Sequence, residues 1–300
     1  MRKRTLIWLV ILLVFFLLFL TIKSVIGQGI SYNQAPIILT TGVLIVLFLL
    51  YLLTSRYELW NFTPDKVFFL GVGSTLYLGL AYFFTDTLNL RLGPIALRPA
   101  VCIPILFGFS FGPAVGFFTG AVGSLLADFA IGWDVFPIWN IASGMTGFIP
   151  GFVSLFKEEN IPERYVSTLV NLLIIGSAGL VFLFPLAPEP WTGVIKDYSS
   201  WAYVLLIGGS IMFANSYLME QDKLNLVSIN LWGASGIILS TLLASLADIR
   251  LNGFSVRTAL IGEYIPYTAI DLFNLVLFAP LITAAYHFTR NRILPGEQEI

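Results

Sequence analysis

The fold this sequence predicts is an all-α integral membrane protein with about ten transmembrane helices. Three observations predict it. Of 300 residues, 57% are hydrophobic and only 11% are charged, where soluble domains carry roughly a quarter charged residues. The mean hydropathy is +0.88. The apolar residues are also gathered into segments near the length a bilayer demands: about 20 residues for a hydrocarbon core of about 30 Å. Ten such segments lie near 5–26, 36–55, 67–84, 95–110, 112–132, 139–156, 165–187, 201–219, 226–247 and 264–288.

The first segment follows Met1-Arg2-Lys3-Arg4 and runs apolar from Leu6 to Ile22. That is longer than the apolar part of a secretory signal, and no small-residue cleavage site follows, so a retained anchor is expected. Segments 95–110 and 112–132 are separated only by Phe111 and interrupted by Pro104 and Pro113. They read as a tight helical hairpin or as a broken, partly re-entrant unit, which a membrane tolerates only when protein covers it. The longest loops fall near 55–66, 186–200 and 248–263, and none of them has room for a separate catalytic or ATP-binding domain. The expected organisation is a helix pair in 1–64, glycine-rich helices in 65–156, a second pair in 157–225 and the last helices in 226–300.

Orientation follows from basic residues. With a cytoplasmic N-terminus and ten spans, Arg2, Lys3, Arg4, Arg56, Lys66, Lys157, Arg164, Lys223, Arg290 and Arg292 lie inside. Lys23, Arg91, Arg98, Lys196, Arg250 and Arg257 lie outside. Both termini are then expected in the cytoplasm of a cell-membrane protein.

Composition also excludes functions. A net charge of −1 gives no electrostatic reason for a nucleic-acid partner. Cys102 is the lone cysteine and His287 the lone histidine, so an internal disulfide, a cysteine metal cluster and any site needing two imidazoles are out. No G-x-x-x-x-G-K-[ST] phosphate loop occurs, so ATP drive would have to come from a partner. Glu158-Glu159 with Arg164 resembles the paired glutamates of CAAX-type proteases, but the spacing is one residue too long and the partner histidines are missing. Neither catalysis nor a cofactor is expected.

The most informative stretch runs from Phe111 to Asp128. Gly112, Gly116, Gly120, Ser124 and Asp128 recur every four residues, along one inclined ridge of a helix. Small residues there let another helix approach closely. Asp128, a carboxylate near the hydrocarbon boundary, is expected to be paired, wet or functional, with an interfacial cap as the plain alternative. Trp139 and Asn140 open the next helix, which carries Ser143, Gly144, Gly147 and Gly151. Trp133 and Trp139 suit an interfacial belt or the wall of a pocket for a flat ligand.

In the last span Glu263, Tyr267, Asp271 and Asn274 follow one another at steps of four, four and three, which places them on one helix face. Asp271 is expected about 8 Å below a helix start at Pro266. An ionisable group at that depth faces a bundle interior or a wet cavity. In the ten-span topology Arg98, Asp128, Trp139, Asn140 and the Glu263–Asn274 face all come to the outer half. The expectation is one polar pocket open to the outside. Arg98 either meets a ligand acceptor or carboxylate through its planar fork or pairs with Asp128 structurally; Asp128, Asp271 and Asn140 are expected to hydrogen-bond ligand donors.

These residues resemble the substrate-binding S components of energy-coupling factor (ECF) vitamin transporters. The resemblance rests on Arg98 with Pro104, Phe111-Gly112-Pro113 with Gly116, the glycine-rich helix ending in Asp128, Gly132 and Pro137, and the Gly144/Gly147/Gly151 run. In the last span it rests on Pro266, Asp271-Leu-Phe-Asn274 and Pro280-Leu281. It implies a six-helix core within the ten spans, capture of a vitamin or related nutrient from outside, and docking on a transmembrane T component with two cytoplasmic ATPases. It also implies a docking contact through Gly71, Thr75 and Gly79 on the first core helix. The alternatives are an ion-coupled secondary transporter, with Asp128, Glu263 and Asp271 as coupling groups, and a non-transporting scaffold or sensor.

Overall fold

The computed structural model describes residue 14 and residues 35–57, 60, 63–89, 91–92, 95–133, 136–158, 163–183 and 224–293. The expected span 201–219 and, apart from Val14, the span 5–26 lie outside the described residues.

Among the described residues the chain is helical apart from one small ribbon. Helix α1 is Ala35–Thr54, and α2 is Pro64–Tyr82, continued by a π-helical turn, Phe83–Thr87. Strands β1 (Arg91–Leu92) and β2 (Ile95–Ala96) pair antiparallel, Arg91 opposite Ala96. A 3₁₀ turn, Pro99–Val101, leads into α3, Cys102–Phe111, which is followed by α4, Pro113–Ile131, and α5, Pro137–Phe148. A second 3₁₀ turn, Pro150–Phe152, opens the short α6, Val153–Glu158. Then come α7, Glu163–Leu183, α8, Leu224–Leu251, a π-helical turn, Thr258–Tyr264, and α9, Ile265–Ile293. Among the described residues, four helical runs are long and apolar enough to cross a bilayer: Pro64–Thr87, Pro113–Ile131, Leu226–Leu251 and Thr258–Phe278. Large apolar side chains such as Leu53, Phe68, Leu172 and Leu281 face outward. That is costly against water and costs nothing against lipid. The chain is a multi-pass membrane protein.

Prolines explain several helix starts. Pro64, Pro99, Pro113, Pro137 and Pro150 each open a helix or 3₁₀ turn, where the missing N–H has no intrahelical partner to lose. Thr63 caps α2 by accepting from Lys66 N. Gly112 takes φ +98° between α3 and α4, a conformation closed to most L side chains. Pro266 has no N–H to donate, and the π-helical run ends just before it, with Ile265 N–H reaching Leu260 O.

Three boundaries differ from the sequence reading. The segment 95–110 is not helical throughout: residues 95–101 form β2 and a 3₁₀ turn, and α3 has ten residues, about 15 Å, too short to cross alone. The loop expected at 248–263 shrinks to 252–255, because helix fills both sides. The last helical run therefore starts before Pro266, and Asp271 lies about 20 Å along from Thr258 rather than about 8 Å.

The glycine ridge does what its spacing implies. A Cβ on Gly116 would overlap the carbonyl oxygen of Gly147, and one on Gly120 that of Ser143. Helices α4 and α5 thus touch backbone to backbone. Gly123 and Gly73 let α2 close on the opposite flank, against Tyr77 and Thr119 respectively. The main apolar core, including Ile105, Ile229, Ile237, Ile261 and Ile265, lies among α3, α7, α8 and α9.

Candidate functional site

The approach to α3 and helices α2, α5, α8 and α9 meet around one partly open pocket, whose empty space of about 320 Å³ includes open solvent. Its walls include Tyr77, Arg98, Trp139, Ser143 and Asp271, and Thr146, Ser240 and Thr241 lie on the side of α5 and α8. Its enclosed part has room for about one water, so a larger ligand requires the wall to open.

The charged centre is the pair Arg98–Asp271, with Nη2 and Oδ2 3.8 Å apart. The Arg98 side chain is 25% exposed and that of Asp271 7%. The guanidinium carbon also lies 5.2 Å from the centroid of the Tyr267 ring, within cation–π range. Tyr267 in turn packs on Trp139, ring centroids 4.8 Å apart at 49°. Trp139 Nε1 donates to Asp248 Oδ2 at 2.9 Å, and Asp248 meets Glu263 through their carboxyl groups. Beneath the charged layer lie hydroxyl pairs, Thr146 with Ser240 and Thr241 with Thr268, each at 2.7 Å. These tie α5 to α8 and α8 to α9, with each of the four hydroxyls paired.

Four of the residues singled out from sequence come together at the cavity. Arg98, Trp139 and Asp271 line it, and Tyr267 stacks between Arg98 and Trp139. The other four stand behind the wall. Asn140 Nδ2 donates to Asp128 Oδ2 at 2.7 Å and to Ser124 Oγ at 3.0 Å, joining α5 to the end of α4. Asn274 Nδ2 donates to Ile270 O, and Asn274 O accepts from Cys102 Sγ at 3.6 Å. Glu263 lies in the π-helical turn and meets Asp248. Arg98 pairs with Asp271 and not, as the structural alternative had it, with Asp128. Trp133 is exposed, as a belt residue would be.

Asp248, Tyr77 and the hydroxyl layer were missed. Tyr77 carried a usable signal, a phenol in the middle of a span. Asn140→Leu is expected to cost about 1–3 kcal/mol, because Asp128 Oδ2 and Ser124 Oγ lose their buried donor. A lowered thermal midpoint in detergent, relative to an exposed α2 substitution such as Thr75→Ala, checks it.

The cavity draws on Arg98, Trp139 and Ser143 from one part of the chain and Ser240, Thr241 and Asp271 from another. Comparison with known proteins divides the chain in the same way. Residues 61–186 match the family model described as the S component of ECF-type riboflavin transporters. The match takes in Arg98, Asp128, Trp139 and Asn140, ends before Asp248 and Asp271, and runs through α7, which the sequence reading had set apart as an added helix. A UPF0397 protein of Vibrio atlanticus (strain LGP32) is 27% identical over 171 residues, covering 51% of this chain and 87% of that relative. UPF0397 proteins of Aliivibrio fischeri (strain MJ11) and Aliivibrio salmonicida (strain LFI1238) are each 29% identical over 108 residues, 34% of this chain and 54% of theirs. The chain thus spans about half the length of these Aliivibrio relatives. No solved structure matches it. The matched family is a transporter component, not an enzyme.

Proposed function

We propose that this protein is the substrate-capture subunit of an ATP-driven importer for a vitamin or related small nutrient. The observation that carries the reading is the Arg98–Asp271 pair on the wall of a partly open polar pocket flanked by Trp139 and Tyr77. Two opposite charges placed among membrane helices are expensive. A structural role alone would favour a close pair; a separation of 3.8 Å around an open space suits groups that also meet a ligand. The S-component match supports the class, and the riboflavin in that family's description supports a flat, water-soluble ligand.

In this reading the chain has ten spans, both termini in the cytoplasm and the cavity facing out. Arg98, Asp271, Trp139 and Tyr267 contact ligand, while Asp128, Asn140, Glu263 and Asn274 set the wall from behind. A transmembrane T component and two cytoplasmic ATPases supply the drive. Gly71, Thr75 and Gly79 form the docking stripe: all three are exposed on α2, and a Cβ on Gly71 or Gly79 would meet nothing within 4 Å. The segment 1–60 is an addition before the S-component-like core, and α7 belongs with that core, its Val170, Ile174 and Ala178 packed in the main apolar cluster.

One observation favours a second reading. The facing carboxyl groups of Asp248 and Glu263 are a place where a coupling proton can be held, as an ion-driven carrier needs. Mass spectrometry of small molecules that co-purify with the protein tests the capture reading. One metabolite in stoichiometric amount is expected, and its uptake into vesicles should require the ATPases. Uptake driven by a proton or sodium gradient without them would transfer the assignment to the second reading.

A further inference from the structure

We propose that the cavity recognises a ligand whose buried end is a positively charged N–H donor, an amidine or amino-substituted heterocycle, and that it discriminates against a carboxylate at that position. The inference rests on the cavity being the capture site and names the ligand chemistry that site takes.

The argument starts from buried atoms that have no partner. On the wall and just behind it they include Asp271 Oδ1, Glu263 Oε2, Asn140 Oδ1 and Asn274 Oδ1, all four acceptors; the donor Arg257 Nε belongs to the residue before the π-helical turn. The amide orientations are fixed, because Asn140 Nδ2 faces Asp128 Oδ2 and Asn274 Nδ2 faces Ile270 O, both of which can only accept. Ser245 Oγ, also without a partner on the same stretch of α8, is a hydroxyl that can itself donate. Asp271 Oδ1 is the decisive atom. It belongs to a side chain 7% exposed, on the cavity wall, and its other oxygen faces Arg98. A buried acceptor with no donor is costly, and a ligand N–H removes that cost.

Charge points the same way. The wall carries one guanidinium and one carboxylate, and these face each other. Behind them stand Asp128, bonded to Asn140, and Asp248, bonded to Trp139, with Glu263 beside Asp248. Even with one proton shared between Asp248 and Glu263, the carboxylates around the wall outnumber the Arg98 guanidinium. A ligand carboxylate would have to displace Asp271 from Arg98 and leave Asp271 Oδ1 unpaired. A planar cation would pair with Asp271 Oδ1 and lie near the Trp139 and Tyr267 rings, where cations are favoured. The Arg98 head, at 25% exposure, can be satisfied by water and does not require an anion.

The test uses the full chain purified in detergent and two planar probes of the same shape, benzamidine and benzoate. Binding is followed by tryptophan fluorescence and thermal shift. Benzamidine is expected to bind saturably and at least about tenfold more tightly than benzoate. In Asp271→Asn the preference should fall to about one. If that variant does not fold, the wild-type ratio alone decides. Tighter binding of benzoate would overturn the donor assignment and leave nutrient capture standing. So would a co-purifying metabolite that carries acidic groups and no N–H donor. Binding of neither probe, with no metabolite recovered, would overturn the capture reading and this inference together.

Discussion

Alanine at Arg98 or at Asp271 is expected to abolish ligand binding while the chain still inserts into the membrane, and the two variants should differ in stability. Removing one partner of a buried ion pair strands the other, at about 3–5 kcal/mol for a fully enclosed charge. Arg98→Ala strands a carboxylate that is 7% exposed and should approach that figure. Asp271→Ala strands a guanidinium that is 25% exposed, which water can reach, and should cost less. The double variant removes both charges and should recover most of the stability lost in Arg98→Ala without recovering binding. Thermal unfolding in detergent reads the first quantity, and retention of the co-purifying metabolite reads the second. A double variant no more stable than Arg98→Ala would mean that the pair is not coupled. Unchanged metabolite affinity in both single variants would remove the site.

Part of this site was legible before any coordinates. An arginine and an aspartate inside apolar segments demand a reason, and the reason turned out to be each other. The every-fourth-residue ridge from Gly112 to Ser124 was legible for the same kind of cause: helical periodicity and side-chain volume are local properties. The illegible parts depend on neighbours. Nothing in the spacing says that Arg98 meets Asp271 rather than Asp128, since both carboxylates come to the same end of the bundle. Asp248 fell one residue beyond the apolar segment 226–247 and read as loop, although α8 runs to Leu251. Glu263 appeared to continue the face of Tyr267 and Asp271 because a constant step was assumed. A π-helical turn changes that step, and a hydropathy pattern cannot register it. The ten-residue α3 looked like a span because the ribbon and 3₁₀ turn before it are apolar as well.

Leucine at Gly116 and leucine at Gly71 should have opposite consequences. Each replaces a glycine in a small-residue row of a membrane helix, and sequence alone does not separate them. At Gly116 the first added carbon would overlap the Gly147 carbonyl oxygen and would also crowd Gly108 Cα. Backbone cannot rotate aside as a side chain can, so α4 and α5 must part. Overpacking of about 1–3 kcal/mol is the ordinary cost in a close-packed interior, and more is expected where backbone is the obstacle. Parting these helices also moves Asn140 away from Asp128 and Trp139 away from Asp248, so binding should fail along with stability. At Gly71 the added carbon meets nothing within 4 Å, and the position is exposed. Leucine there should leave the thermal midpoint and metabolite retention near wild type, with a stability change within about 0.5 kcal/mol. What it should remove is close approach by another membrane helix, which small residues permit and a leucine blocks. Co-purification with the T component and ATPases is therefore expected to drop for Gly71→Leu while the isolated subunit still holds its ligand. If Gly71→Leu assembles normally, the α2 stripe is an ordinary lipid-facing surface and partner contact lies elsewhere. If Gly116→Leu folds and binds as wild type, the α4–α5 contact does not hold the cavity in shape, and the coupling drawn here between glycine ridge and site is lost.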